Sequence, residues 1–152
     1  MSEKIYIIIV GAGKVGWNLA RELLEKGNEV TLIENKRERY LTVEQELEHN
    51  IQYGDASELW VLERADVFIA STDGDNTNII IAQLAKRRFK VPTVITRVLD
   101  PYRAKWYESQ GLHTICPTRV AIDMLETEVL AAAERSAGGA PRIGAVDHED
   151  AD

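Results

Sequence analysis

Gly11-Ala12-Gly13-Lys14-Val15-Gly16 spaces its glycines as G-x-G-x-x-G, and the chemistry such a stretch performs is recognition of phosphate. The first glycine permits a tight turn, the second lets a pyrophosphate approach bare backbone, and the third lets a helix pack close to a strand. The pattern is common by chance, and its plainer reading is a strand-to-helix turn with no ligand. Here it follows an apolar β-branched run and opens a helical pattern, which is the context that binding requires. The N–H groups of the helix start then meet the phosphates. Ala12, Lys14 and Val15 share the loop and are counted with Gly11, Gly13 and Gly16 as cofactor contacts. Glu34 closes the next apolar run, placed to accept hydrogen bonds from ribose hydroxyls, and Asn35 lies beside it. A carboxylate there pairs with a 2′-hydroxyl and repels a 2′-phosphate, so NADH is expected to bind more tightly than NADPH, although Lys36 and Arg37 are close enough to neutralise an extra phosphate.

Three further loops leave the carboxyl ends of expected strands, the edge at which an open α/β sheet binds its ligand. In Tyr53-Gly54-Asp55-Ala56-Ser57, Asp55 fits a turn-and-cap role as well as a ligand role. Ser71-Thr72-Asp73-Gly74-Asp75-Asn76-Thr77-Asn78 is dense in turn and helix-start residues; it reads as a cap, or it places Thr72 beside the cofactor phosphates. Arg97 is an isolated charge on an apolar stretch and needs a partner, for which a phosphate or Asp100 would serve.

The elements that position these residues follow from periodicity. Short β-branched runs at 5–10, 29–34, 51–53, 67–71, 93–98 and 114–116 alternate with helical patterns, which implies parallel strands joined by crossover helices. In the first helix Val15, Leu19 and Leu23 recur at every fourth position, Leu24 widens the stripe, and Gly27 stops it. Helices are also expected at 36–48, 76–89, 102–109 and 119–134. The fold class is therefore α/β: a Rossmann-like doubly wound parallel sheet of about six strands with helices on both faces. Residues 1–135 read as one nucleotide-binding domain, and 136–152, small and acidic, as a mobile tail or linker.

Composition removes other classes. The chain of 152 residues, 45% hydrophobic and 28% charged, suits one soluble globular domain. A net charge of -7 argues against nucleic acid as the main partner. No run is long or apolar enough to span a bilayer, no cleavage site marks a signal peptide, and the single cysteine, Cys116, fits a reducing cytoplasm.

The stretches "YIIIVGAGKVGWNLARELLEKGNEVTLIE", "YGDAS", "ADVFIASTDGDNTNIIIAQLAK", "VITRV" and "CPTRVAIDML", in that order from about Lys4 to Ala133, together resemble the N-terminal nucleotide-binding domain of Trk/Ktr-type potassium uptake regulators, also called RCK domains. The resemblance implies that Gly11, Gly13, Gly16, Glu34, Asp55, Ala56, Thr72 and Arg97 surround a bound nucleotide, NAD(H) or ATP/ADP. It implies a homo-oligomer, a dimer building a ring of dimers, that gates a membrane-embedded potassium transporter or channel subunit from the cytoplasmic face. Two departures accompany it. The stretch "SELWVLERADVFIAST" leaves room only for a short helix before the fourth strand, near the minimum for a parallel crossover. The family often continues into a smaller C-terminal domain, so this chain is expected to be either a single-domain member or a piece of something longer.

The rival is an NAD-dependent oxidoreductase fragment. Chemistry would need a positioned acid or base, and a Tyr-x-x-x-Lys pair is absent, with Trp106 where the lysine after Tyr102 would stand. His49 and His113 precede strands, away from the ligand edge, and His148 is in the tail, so neither catalytic nor metal-binding residues are assigned. A DNA-binding repressor would need a basic winged segment; the run Lys86, Arg87, Arg88, Lys90 reads instead as charge complementing a helix end.

Overall fold

The computed structural model describes residues 3–55 and 64–139. Ala56, the short crossover helix expected after it, and the tail from residue 140 lie outside the described residues. The elements are β1 (Tyr6–Val10), α1 (Lys14–Glu25), β2 (Glu29–Glu34), α2 (Arg37–Leu47) running into a 3₁₀ turn (Glu48–Asn50), β3 (Ile51–Tyr53), β4 (Val67–Ala70), α3 (Asp75–Arg87), β5 (Thr93–Arg97), α4 (Pro101–Ser109), β6 (Thr114–Ile115) and α5 (Pro117–Gly139). The described strands form one parallel sheet in the order β3-β2-β1-β4-β5-β6. The chain winds outward from β1 to β3, returns to the other side of β1, and winds outward again. The direction reverses between β1 and β4, where an open α/β sheet forms its ligand crevice.

Alternation within β1 divides the core between the two faces of the sheet. Ile7 and Ile9 join Ala20, Val30, Leu32, Val43 and Leu47 on the face that carries α1 and α2. Ile8 and Val10 join Phe68, Ile81, Ala82 and Ala85 on the face that carries α3. Both faces are covered, which explains why these strands are apolar throughout.

α1 lays Leu19, Leu23 and Leu24 of the expected stripe on the sheet and leaves Val15, its first residue, outside. Gly16 and Ala20 are its buried residues, Trp17, Leu19, Leu23 and Leu24 pack around them, and Val15 is exposed. The reason lies at Gly16, where a Cβ would stand 1.8 Å from the Gly11 carbonyl oxygen. That contact fixes the inward face on Gly16, and Val15 falls to one side of it. Gly27, at φ +88°, ends the helix as expected, with its N–H donating to the Leu24 carbonyl.

Residues up to Thr118 form one compact unit and those from Arg119 another. α5, expected to end at Glu134, continues to Gly139 through the first residues of the stretch read as tail. The Ala131-Ala132-Ala133 run favours helix strongly enough to carry it to the glycines. None of its residues is buried in the single chain.

Candidate functional site

The carboxyl ends of β1, β2 and β4 are stitched together by backbone. Gly11 donates its N–H to the Ile33 carbonyl at 2.8 Å and Ser71 donates to that of Val10 at 2.8 Å, while Gly54 donates to that of Glu34 at 3.0 Å. Gly11 has φ +104°, and a Cβ on it would lie 2.5 Å from the Ser71 carbonyl oxygen. Only glycine allows so close an approach of the β1 and β4 loops. Over this junction lies a cleft of about 180 Å³, whose lining includes Gly11, Glu34, Asn35, Asp55, Thr72 and Asp73.

Gly13 differs from its two partners in the motif. Among the described residues a Cβ built there would meet no backbone within 4 Å, only Arg39 Nη1 and Asp73 Oδ1, each at 3.8 Å. Gly13 is also the N-cap of α1, and no side chain among the described residues caps that helix. The first turn of α1 therefore offers its N–H groups beside bare backbone, the arrangement that receives a phosphate. Lys14 and Val15 are exposed at that turn, whereas Ala12 and Gly16 are buried beneath it.

Glu34 is buried, 3% exposed, and both its oxygens are engaged. Oε2 accepts from the Ala12 N–H at 2.7 Å and Oε1 from the Lys36 N–H at 2.9 Å. Arg39 Nη1 stands 3.6 Å from Oε2. The carboxylate thus ties the glycine loop to the β2–α2 turn in addition to lining the cleft. Removing it leaves two N–H donors without an acceptor, each worth about 1–3 kcal/mol where water cannot replace it. Glu34→Ala is expected to lower stability by about 3 kcal/mol in urea unfolding, with Glu34→Gln, which keeps one acceptor, losing about half as much.

The loop after β4 is organised by Asn78, a residue that the sequence presents only as one more helix-start polar group. It is wholly buried. Its Oδ1 accepts from the Thr72 N–H at 2.8 Å and pairs with the Thr72 hydroxyl at 2.6 Å, and its Nδ2 donates to the carbonyls of Thr72 and Arg97 at 3.1 and 3.0 Å. Thr72 consequently lines the cleft with its hydroxyl already shared. Arg97 lies outside the cleft lining; it reaches back so that Nη2 donates to the Thr72 carbonyl at 2.7 Å. Asp100, the alternative partner for Arg97, instead caps α4 by accepting from the Arg103 N–H.

Two charged side chains complete the site: Lys36, which the sequence already set near an extra phosphate, and Arg39, which it did not single out. Lys36 Nζ lies 2.8 Å from Asp73 Oδ2, and Arg39 Nη1 and Nη2 both lie 3.3 Å from the same oxygen. The Lys36 hydrogen bond, reinforced by Arg39, outweighs partial burial and holds the Asp73 carboxyl below the usual carboxylate range. Asp73 is therefore ionised at neutral pH, and the cluster loses its counter-anion only in acid.

With that geometry in place, the chain matches the TrkA-N domain over residues 7–117. It is 34% identical over 128 residues to the "Trk system potassium uptake protein TrkA homolog" of Methanothermobacter thermautotrophicus, covering 80% of this chain and 59% of that one. It is 40% identical over 105 residues to TrkA of Mycobacterium tuberculosis, covering 66% and 47%. The chain thus spans about half the length of the curated relatives it matches. Among solved structures, the GsuK RCK domain aligns with TM-score 0.70 at 22% identity over 89% of this chain and 30% of that one. GsuK bound to ADP aligns at 0.65 and 22%, over 80% and 33%. The Kef C-terminal domain of Shewanella denitrificans in AMP-bound form gives 0.67 and 20%, over 84% and 81%. At these identities the structures bear on the fold alone, a Rossmann-like parallel sheet, and it is the sequence match across most of the sheet that identifies the chain as a member of the TrkA-N domain family.

Proposed function

We propose that this chain is a nucleotide-sensing regulatory domain that binds NAD(H) or ATP/ADP at the glycine loop and gates a potassium transporter or channel subunit embedded in the membrane. The observation that carries the reading is Gly13: its backbone is open where Gly11 and Gly16 are closed, it begins a helix that no described side chain caps, and it stands beside Arg39 and Asp73, which line the cleft. These residues fit a nucleotide. The loop from Gly11 to Val15 would hold its phosphates, and Glu34 with Asn35 would face its ribose. Asp55 and Thr72 would close the cleft from the β3 and β4 sides, with Arg97 holding Thr72 in place. The nucleotide supplies charge and shape at this position and leaves unchanged. ADP bound to GsuK and AMP bound to the Kef domain, two neighbours in fold, support a nucleotide as the ligand, and the potassium uptake relatives support the partner.

Among the described residues no helix is long and apolar enough to cross a membrane. In this reading the protein works as a homo-oligomer at the cytoplasmic face of the membrane and leaves conduction to its partner. Gating needs ligands that prefer different conformations, because a ligand of equal affinity for both shifts nothing. A tenfold preference corresponds to about 1.4 kcal/mol, within the usual range of coupling. Potassium flux into vesicles carrying the Trk-type transporter of the same cell is therefore expected to change by about tenfold when NADH, NAD, ATP and ADP are exchanged in the presence of this protein. Flux indifferent to protein and nucleotide, together with turnover of NADH by the purified chain, would establish the oxidoreductase alternative instead.

A further inference from the structure

We infer that Asp73 is an internal anion standing in the place of the ligand's phosphate, and that Lys36 and Arg39 are phosphate-binding side chains handed from Asp73 to the nucleotide when it binds. The inference rests on the nucleotide reading above and adds residues and a handover that the reading does not contain.

Lys36 and Arg39 come from the β2–α2 side of the cleft, and Asp73 comes from the β4–α3 loop on the other. One oxygen, Asp73 Oδ2, collects Lys36 Nζ and both terminal nitrogens of Arg39. The other, Oδ1, stands 3.8 Å from the Cβ position of Gly13, as does Arg39 Nη1. The ion pair thus spans the spot where bare glycine backbone admits a pyrophosphate. An arginine fork and a lysine converging on one oxyanion form the donor set that a phosphate uses. The bridge crosses the cleft of about 180 Å³, so a nucleotide whose phosphates lie on the glycine loop meets all three side chains.

Charge decides which partner moves. Glu34 and Asp73 together balance Lys36 and Arg39, and a diphosphate added beside them would crowd like charges. Glu34 is buried and bonded to two backbone N–H groups, so it stays. The Asp73 side chain is 55% exposed, and exposed ion pairs are weak. Its neighbours bound the motion: Asn78 fixes Thr72 on one side, and on the other Asp75 accepts from the N–H groups of Leu99 and Asp100. Asp73 and Gly74 form the short span between these anchors. Opening the bridge therefore moves a defined piece of the β4–α3 loop and makes its position depend on bound phosphate.

The test is calorimetric titration of ADP and NADH into the wild-type protein, Asp73→Asn, the double variant Lys36→Gln/Arg39→Gln, and the triple variant. Asp73→Asn is nearly isosteric at an exposed position, and its unchanged thermal midpoint without ligand serves as the folding check. The expected result is a five- to twentyfold tighter Kd for both nucleotides in Asp73→Asn and at least tenfold weaker binding in the double variant. In the triple variant, Asp73→Asn should then gain less than twofold over the double variant. Wild-type binding with Asp73→Asn neutral or weaker overturns the handover and leaves the nucleotide reading standing. A gain that persists without Lys36 and Arg39 also overturns it, because Asp73 would then act by repulsion alone. A wild-type protein that binds neither ligand sinks the nucleotide reading and this inference with it.

Discussion

Gly13→Val is expected to fold normally and to lose its response to nucleotide entirely. At φ -70° and ψ -173° the Gly13 backbone is extended, a conformation that valine adopts without strain. The Cβ position meets Arg39 Nη1 and Asp73 Oδ1 at 3.8 Å, ordinary van der Waals contact with two side-chain ends. The added methyls then stand where a pyrophosphate would approach. For the wild-type protein, NADH or ATP at a hundred times its Kd adds about 2.7 kcal/mol of stability by mass action. In a domain of this size that raises the thermal midpoint by roughly 5–10 °C. The variant should show the same midpoint as wild type without ligand and no rise with it. Gly16→Ala provides the contrast, because its Cβ would lie 1.8 Å from the Gly11 carbonyl oxygen; it should lose about 4 kcal/mol or more and fail to accumulate folded. A Gly13→Val protein retaining the full ligand-dependent rise would place the nucleotide elsewhere on the molecule.

The contrast between these glycines shows what was legible in the sequence. The motif announces a strand, a turn and a helix, and β1, α1 and β2 stand where the pattern put them, with β2 at 29–34 residue for residue. Strand identity was readable because a strand buried on both faces must be apolar throughout. Most of the α1 stripe was readable too, since Leu19, Leu23 and Leu24 pack on the sheet; the close approach at Gly16 sets the helix rotation and left Val15 in solvent. Asn78 was hidden by its company, since a polar residue among Asp75, Asn76 and Thr77 reads as a helix start. Its position on the same helix face as Ile81, Ala82 and Ala85 was the available signal that it is buried.

The Lys36–Arg39–Asp73 cluster had no such signal. Lys36 and Arg39 sit together at the start of α2, whereas Asp73 belongs to the loop after β4 far along the chain, and nothing in the sequence pairs them. Only the switch in winding between β1 and β4, which brings the loop after β4 beside the loops after β1 and β2, makes them neighbours. Arg97 illustrates the converse. An isolated arginine ending a strand was correctly expected to need a partner, but the sheet delivers the Thr72 carbonyl to it, an acceptor that every residue carries and no sequence motif can mark.

The second large effect is expected on α5. In the single chain Leu125 is 67% and Val129 66% exposed, and Ile122, Val120, Met124 and Leu130 are exposed with them. Ile122, Leu125 and Val129 recur at intervals of three and four, so they share one side of the helix. Scattered exposed apolar residues are ordinary, but a run of them along one helix marks an interaction surface. In the homo-oligomer proposed above, the partner on this surface is a second copy of the chain, and the contact is self-complementary about a two-fold axis. Aspartate at Leu125 and Val129 would leave two charges in each half of a contact that excludes water, a cost paid twice in every dimer. The wild-type protein is therefore expected to sediment as a dimer or larger species at micromolar concentration. Leu125→Asp/Val129→Asp is expected to sediment as a monomer, its affinity for itself reduced at least a hundredfold. Because both positions are exposed in the single chain, the variant should retain the wild-type thermal rise with nucleotide, which separates loss of assembly from loss of fold. A wild-type protein that stays monomeric across that range, or a double variant that assembles unchanged, would remove α5 from the subunit contact.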